Sequence, residues 1–169
     1  ALTPAGASHD AVDSTYAWLR LGIALLISMV GGVGMWSVVV ALPAVQAEFG
    51  VARAGASFPY TAAMIGFAFG GVMMGRFADR TGIVPPLVLG TIALAAGYVM
   101  ASWTTSIWQF ALVHGLFIGF LGSSATFGPL IAETSHWFEK RRGIAVAICA
   151  SGNYVAGTVW PPVVQSFIA

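Results

Sequence analysis

An acidic and a basic side chain are adjacent in the stretch Gly75-Arg76-Phe77-Ala78-Asp79-Arg80-Thr81-Gly82, which lies between two strongly apolar segments. Asp79 accepts hydrogen bonds and suits the N-terminal end of a helix, its own or a neighbour's, and Arg80 can pair with it. Gly75 lets a neighbouring helix pass closely, and Gly82 can take positive φ and reverse the chain. The stretch predicts a short charged loop that latches two helix ends at a membrane surface. Breaking such a latch would cost a few kcal/mol, on the order of a buried charged hydrogen bond, which is enough to bias a two-state equilibrium.

Several polar side chains fall inside the apolar segments and are candidates for contact with a solute. His114 is ionisable and a candidate proton site; the alternative is a neutral histidine bonded to a nearby carbonyl or facing interfacial water. Trp36, Ser37, Asn153 and Tyr154 are candidates for a substrate cavity, with helix packing as the alternative for each. The sequence has no metal-ligand spacing, nucleophile elbow or phosphate-binding loop, so we expect no enzyme activity, no metal and no cofactor.

Two other residues are expected to be structural. Glu133 precedes the basic run Lys140-Arg141-Arg142 and is predicted to pair with it. Cys149 is the single cysteine and lies in an apolar run, so no intrachain disulfide can form and a buried packing role is expected.

The composition is that of a membrane protein. Of 169 residues, 8% are charged and 58% hydrophobic, too few charges to cover the surface of a soluble domain. A membrane helix needs about 20 mostly apolar residues. Five segments qualify, at residues 18–42, 58–77, 84–102, 107–131 and 143–164, after a tail of residues 1–17. The sequence therefore predicts an all-α polytopic membrane protein.

The distribution of basic residues predicts the orientation of these spans. If the N-terminus is cytoplasmic, six of the seven Lys and Arg residues lie on the cytoplasmic side and Arg53 on the other. The positive-inside rule supports that orientation and the count of five spans. The net charge of +1 gives no indication of nucleic acid binding.

Glycines recur at helical spacing in two of the segments. Gly66, Gly70, Gly71 and Gly75 form two consecutive G-x-x-x-G pairs in the second span, and the fourth span carries a similar set at Gly115, Gly119 and Gly122. Small residues at this spacing let helix backbones approach closely in a membrane. We expect ordinary helix packing from them, which also suits helices that slide past one another.

The charged stretch resembles motif A of the major facilitator superfamily, found between the second and third helices of these transporters. The matching positions are Gly75, Ala78, Asp79, Arg80 and Gly82. In the family this motif holds the cytoplasmic gate closed against the second half of the molecule, so the resemblance implies that role for Asp79 and Arg80. The two basic residues that normally follow are replaced here by Ile83 and Val84.

A second stretch narrows the resemblance. Residues 137–145, Trp-Phe-Glu-Lys-Arg-Arg-Gly-Ile-Ala, followed by Gly152, resemble the entry to the fifth helix in monocarboxylate and oxalate/formate-type transporters. The end of the first span, from Leu42 to Gly50, is also similar to that group. These carriers often have a lysine in the first helix where this chain has Trp36, and no other span carries a mid-membrane Lys or Arg. The positively charged side chain that binds an anionic substrate would therefore have to come from a later helix.

The resemblance implies secondary active transport of a small organic solute, an organic anion such as a monocarboxylate, by alternating access. Family members have twelve helices in two halves, so we expect this chain to be the N-terminal portion, an incomplete half over residues 18–169. Its expected partners are the lipid bilayer, the substrate, protons and the remaining helices, and its expected location is a bacterial inner membrane with the N-terminus cytoplasmic. The alternative is a non-transporting accessory subunit, derived from a transporter fold and bound to a larger membrane complex.

Overall fold

A computed structural model describes residues 12–168 of the chain, and within them five stretches are long and apolar enough to cross a membrane. In chain order, spans 1 to 5 are Thr15–Val40, Arg53–Thr81, Val84–Ala101, Ile107–His136 and Arg142–Phe167. The described residues contain no strand. The predicted all-α fold with five membrane-spanning helices is therefore confirmed. The predicted tail of residues 1–17 falls mostly outside the described residues, and its last three residues are already helical.

Turns and small residues divide these spans into shorter helices. The helical segments are Thr15–Gly31, Val33–Val40, Leu42–Phe49, Arg53–Ala56, Phe58–Thr81, Val84–Ala101, Ile107–Val113, a π-helix at His114–Ser123, Gly128–His136 and Arg142–Ile168. Span 1 is interrupted at Gly32, where a side chain would overlap Ala156 of span 5. The short helix Leu42–Phe49, which follows span 1, ends at Gly50, whose φ of 60° is left-handed.

The stretch expected to form a charged loop is instead the end of span 2. Its helix continues to Thr81, and the amide of Gly82 still donates to the Ala78 carbonyl at 2.8 Å. Only Gly82 and Ile83 separate spans 2 and 3. The prediction of a loop from Gly75 was wrong because charge does not end a helix. The first residue with a positive φ after Gly75 is Gly82, at 84°.

Span 4 also differs from the membrane segment predicted at residues 107–131. It is interrupted by a turn at Thr126 and Phe127 and then continues to His136. Pro129 lies in the first turn of the continuing helix, where its missing N–H is tolerated. The Thr126 hydroxyl donates to the Ser123 carbonyl at 2.9 Å and stabilises the turn.

Spans 2 and 4 make the closest backbone contact of the fold. A Cβ atom at Gly66 would overlap the Gly115 carbonyl, and one at Gly70 would overlap the Phe120 carbonyl. The two glycines are four residues apart on an α-helix, whereas the two carbonyls are five apart on a π-helix, whose wider turn brings them to the same face. The packing role expected for these glycines therefore depends on the π-helix.

The other glycine pair of span 2 is not used in this contact. A Cβ atom at Gly71 or Gly75 would meet nothing within 4 Å among the described residues. Asp79 follows Gly75 by four residues and lies on the same side of the helix. We call these three residues the glycine flank.

Most of the basic residues lie at one end of the bundle. Span 1 begins there and span 4 ends there, since Arg20 forms an ion pair with Glu133 at 3.0 Å. A buried cluster that includes Leu21, Leu130 and Phe138 packs beside this pair. We call this end the basic end.

Candidate functional site

Trp36 and Asn153 meet where spans 1 and 5 pack together. The Trp36 indole Nε1 donates to the Asn153 backbone carbonyl at 2.9 Å. Gly157 lies against the indole ring, since a Cβ atom there would be 2.8 Å from a ring carbon. The Asn153 side-chain oxygen lies beside Gly32, where span 1 is interrupted. Two of the predicted cavity residues, Trp36 and Asn153, are thus in contact. They lie next to the interruption of span 1 at Gly32.

Ser37 contacts span 3 instead. Its hydroxyl lies 2.6 Å from the hydroxyl of Tyr98, which donates to the Val33 carbonyl at 3.1 Å. Because Tyr98 has one proton and gives it to that carbonyl, Ser37 is the donor to Tyr98. Tyr98 was missed from the sequence, where a single tyrosine in an apolar run has no distinguishing signal. Spans 1 and 3 are joined by this pair of hydrogen bonds.

His114 lies within span 4 with 3% of its surface exposed. Its Nδ1 is 2.9 Å from the Phe110 carbonyl, so Nδ1 carries a proton and donates it. The Phe110 ring packs on the imidazole with 4.2 Å between the ring centroids. Within residues 12–168 no hydrogen bond joins His114 to another cavity candidate. This contact fits a neutral histidine, and it leaves Nε2 as the atom available for a proton.

Tyr154 lies apart from the other candidates. Its side chain is 70% exposed, on the outside of span 5. Asn153, the preceding residue, is half-buried because neighbouring residues on a helix point about 100° apart. The five candidates therefore form the Trp36–Asn153 contact, the Ser37–Tyr98 contact, a separate histidine and an exposed tyrosine.

The gate motif faces outward at the basic end. Asp79 and Arg80 are exposed, and within the described part of the chain neither forms a hydrogen bond or an ion pair. The residue before span 3 is Ile83, and no side chain caps that helix, so Asp79 does not cap it. The expected pairing of Asp79 with Arg80 is absent from residues 12–168. Gly75 lies four residues before Asp79 on the open glycine flank.

Spans 1 and 4 are held together at the basic end by a charged contact. Glu133 accepts from Arg20 at 3.0 Å and from the Trp137 indole at 2.9 Å. The Arg20 guanidinium lies 4.3 Å from the centroid of the Trp137 ring. The predicted pairing of Glu133 with Lys140–Arg142 was wrong, because Glu133 is on the helical turn that packs against span 1.

Asp13 ties the segment before span 1 to the turn between spans 4 and 5. Its carboxylate accepts from the Lys140 amide at 3.0 Å, and its own amide donates to the Trp137 carbonyl at 3.1 Å. Asp13 has φ of 56°, a conformation that aspartate tolerates better than most residues. Together with the Glu133 contact, it fixes the entry to span 5 against the start of span 1.

Five apolar spans, polar side chains between them and a charged helix end define a polytopic membrane protein with the architecture of part of a transporter. Residues 24–169 match the family model described as Major Facilitator Superfamily. The chain belongs to the major facilitator superfamily.

Three similar proteins are fungal transporters. The chain is 33% identical over 98 residues to the riboflavin transporter MCH5 of Saccharomyces cerevisiae, covering 58% of this chain and 19% of the relative. It is 37% identical over 103 residues to the fujikurins efflux protein of Gibberella fujikuroi, covering 60% and 22%. It is 32% identical over 100 residues to the MFS-type transporter pytF of Aspergillus terreus, covering 59% and 33%. The chain thus spans at most about a third of these relatives' length.

Proposed function

We propose that this chain is part of a secondary transporter that moves a small organic solute across a membrane by alternating access. Membership of the superfamily supports transport, and riboflavin transport and fujikurin efflux by relatives support an organic solute. The observation that carries the proposal is the glycine flank. It is a smooth, open helix surface that ends in a carboxylate with no hydrogen bond or ion pair within residues 12–168, as a moving contact with a second half would require.

Asp79 is the proposed gate residue. Its carboxylate has no partner among the described residues and can accept hydrogen bonds from the N-terminal end of a helix in the second half, where the helix dipole favours an anion. Gly75, one turn earlier, lets that helix approach the backbone of span 2. Arg80 is assigned to the same gate by its place in the motif. Closing the gate at the basic end would leave the solute site open at the opposite end.

The solute site is proposed at the break in span 1. Trp36 and Asn153 offer an aromatic surface and an amide, and Ser37 adds a hydroxyl on the neighbouring face. These groups are neutral, so an organic anion would take its counter-charge from helices beyond this chain. His114 is the proposed proton site, through the Nε2 atom that its hydrogen bond to Phe110 leaves available.

The proposal also covers the orientation of the chain in the membrane and the kind of organism to which that membrane belongs. The distribution of Lys and Arg supports a cytoplasmic basic end and N-terminus. The relatives named here are fungal, which supports a fungal membrane and not the bacterial inner membrane that the sequence analysis expected. Superfamily membership and transporter relatives also support transport over enzyme activity or an accessory role.

Transport by the complete gene product tests the proposal. Uptake and efflux of radiolabelled small carboxylates and of riboflavin are measured in vesicles, comparing Asp79→Asn with wild type. Loss of one charge-assisted hydrogen bond predicts a rate lowered about tenfold. Glu139→Gln is the matched control, because Glu139 is also an exposed acid at the basic end, and its transport should be unchanged. Absence of transport of any solute tried, with Asp79→Asn equal to wild type, would contradict the proposal.

A further inference from the structure

A groove with two arginines at its rim runs along the outside of span 2 at the basic end. It has a volume of about 470 Å³, and its lining includes Met73, Phe77, Leu89 and Phe120 together with Arg76 and Arg80. The apolar wall is contributed by spans 2, 3 and 4. We call this feature the arginine groove.

The two arginines place two positive charges close together on one helix. Arg76 and Arg80 are one helical turn apart and both exposed, and neither forms an ion pair within residues 12–168. Like charges at this spacing repel each other. At the same end Arg20 is already paired with Glu133, and Lys140 and Arg141 are also exposed without an ion pair within residues 12–168. The arginine groove differs from that basic run because its two arginines lie beside an apolar wall. Asp79 is near in sequence but is not part of the groove lining.

The apolar wall extends from the arginines toward the middle of the membrane. Met73 and Arg80 are seven residues apart, a rise of about 10 Å along a helix. Met73 is 54% exposed and Leu89 39% exposed, so the other described residues leave this wall uncovered. A ligand that fills this groove needs an anionic head at the membrane surface and a hydrocarbon tail below it.

We propose that the arginine groove binds one anionic phospholipid. The phosphate and the acidic headgroup lie between Arg76 and Arg80, and one acyl chain packs along Met73, Phe77 and Leu89. Charge complementarity selects the headgroup, because each basic residue at a membrane surface attracts anionic lipid. The site needs only the membrane location of the chain, and Arg76 lies outside the proposed gate residues, so it can fail or succeed independently of the transport proposal.

Photocrosslinking in vesicles tests this site. The complete gene product is reconstituted in phosphatidylcholine with a trace of phosphatidylserine that carries a photoactivatable group in its acyl chain. Crosslinks are mapped to the peptides that contain Met73, Phe77 and Leu89. Labelling should exceed that by the matching phosphatidylcholine probe by roughly 30-fold, from the attraction of two basic residues. Equal labelling by the two probes in the wild-type protein would overturn the proposal without the need for any variant.

Variants test whether the two arginines cause the preference for the phosphatidylserine probe over the phosphatidylcholine probe. Arg76→Gln should lower it several-fold with transport unchanged, and Arg76→Gln with Arg80→Gln should abolish it. Arg53→Gln is the matched control, since Arg53 is an exposed arginine at the opposite end of the same span. An unchanged preference in the double variant would overturn the proposal. Inorganic phosphate should weaken labelling no more than sodium chloride at equal ionic strength, and a stronger effect would assign the site to soluble phosphate instead.

Discussion

Glu133 shows how much of the basic end depends on single side chains. It accepts one hydrogen bond from Arg20 and another from Trp137, and Arg20 also lies over the Trp137 ring. The pair is only partly buried, with 34% and 26% of the two charged side chains exposed. Solvent screening therefore weakens the attraction between Arg20 and Glu133. Part of this attraction remains because the contacts with Trp137 hold both side chains in position.

Replacing Glu133 should lower the stability of the protein. Glu133→Gln keeps the size of the side chain but removes its charge, and should decrease the free energy of unfolding by about 1–2 kcal/mol. Thermal unfolding in detergent measures this as a lower melting temperature. Glu139→Gln removes the same charge from an exposed side chain and should leave the melting temperature unchanged. Equal melting temperatures for both variants would show that the contact does not stabilise the fold.

Individual site residues were only partly predictable. Trp36, Ser37 and Asn153 could be selected because polar groups in apolar runs are few, but their partners could not. The Ser37–Tyr98 contact joins residues 61 positions apart, and the Trp36–Asn153 contact joins residues 117 apart. Such pairs depend on how whole helices pack together. The sequence pattern of one helix does not specify that packing.

At the scale of elements, the spans themselves were predictable and their ends and interruptions were not. Hydropathy identified five segments because each must bury about 20 apolar residues in lipid. The loop predicted from Gly75 was helix, since a helix end at the membrane surface tolerates charged residues. The turn at Thr126 and the π-helix at His114–Ser123 had no pattern in the sequence that distinguished them from α-helix.

The contact between spans 2 and 4 gives a prediction for a single glycine. Gly66→Ala places a methyl group against the Gly115 carbonyl, which cannot move away without displacing span 4. Overpacking of this kind should lower the free energy of unfolding by about 1–3 kcal/mol. Thermal unfolding in detergent checks it. Gly143→Ala is the matched control, because a Cβ atom there meets nothing within 4 Å and a helical glycine is replaced by a better helix former.

At the scale of the whole molecule, one side of span 2 remains unpacked. A Cβ atom at Gly71 or Gly75 would meet nothing within 4 Å among the described residues, although glycines at this spacing are typical of close helix contacts in membranes. The second half of a transporter would cover this surface when the gate at Asp79 closes. The arginine groove lies outside the glycine flank and is assigned to lipid.

The central claim is that five spans place the basic end in the cytoplasm, and cysteine accessibility tests it most directly. With Cys149 replaced by serine in the complete gene product, Thr81→Cys marks the basic end, and Thr105→Cys marks the turn between spans 3 and 4 at the other end. A membrane-impermeant maleimide applied to intact cells should label Thr105→Cys, and should label Thr81→Cys only after permeabilisation. Labelling of Thr81→Cys in intact cells, with Thr105→Cys protected, would contradict the orientation and the gate assigned to Asp79.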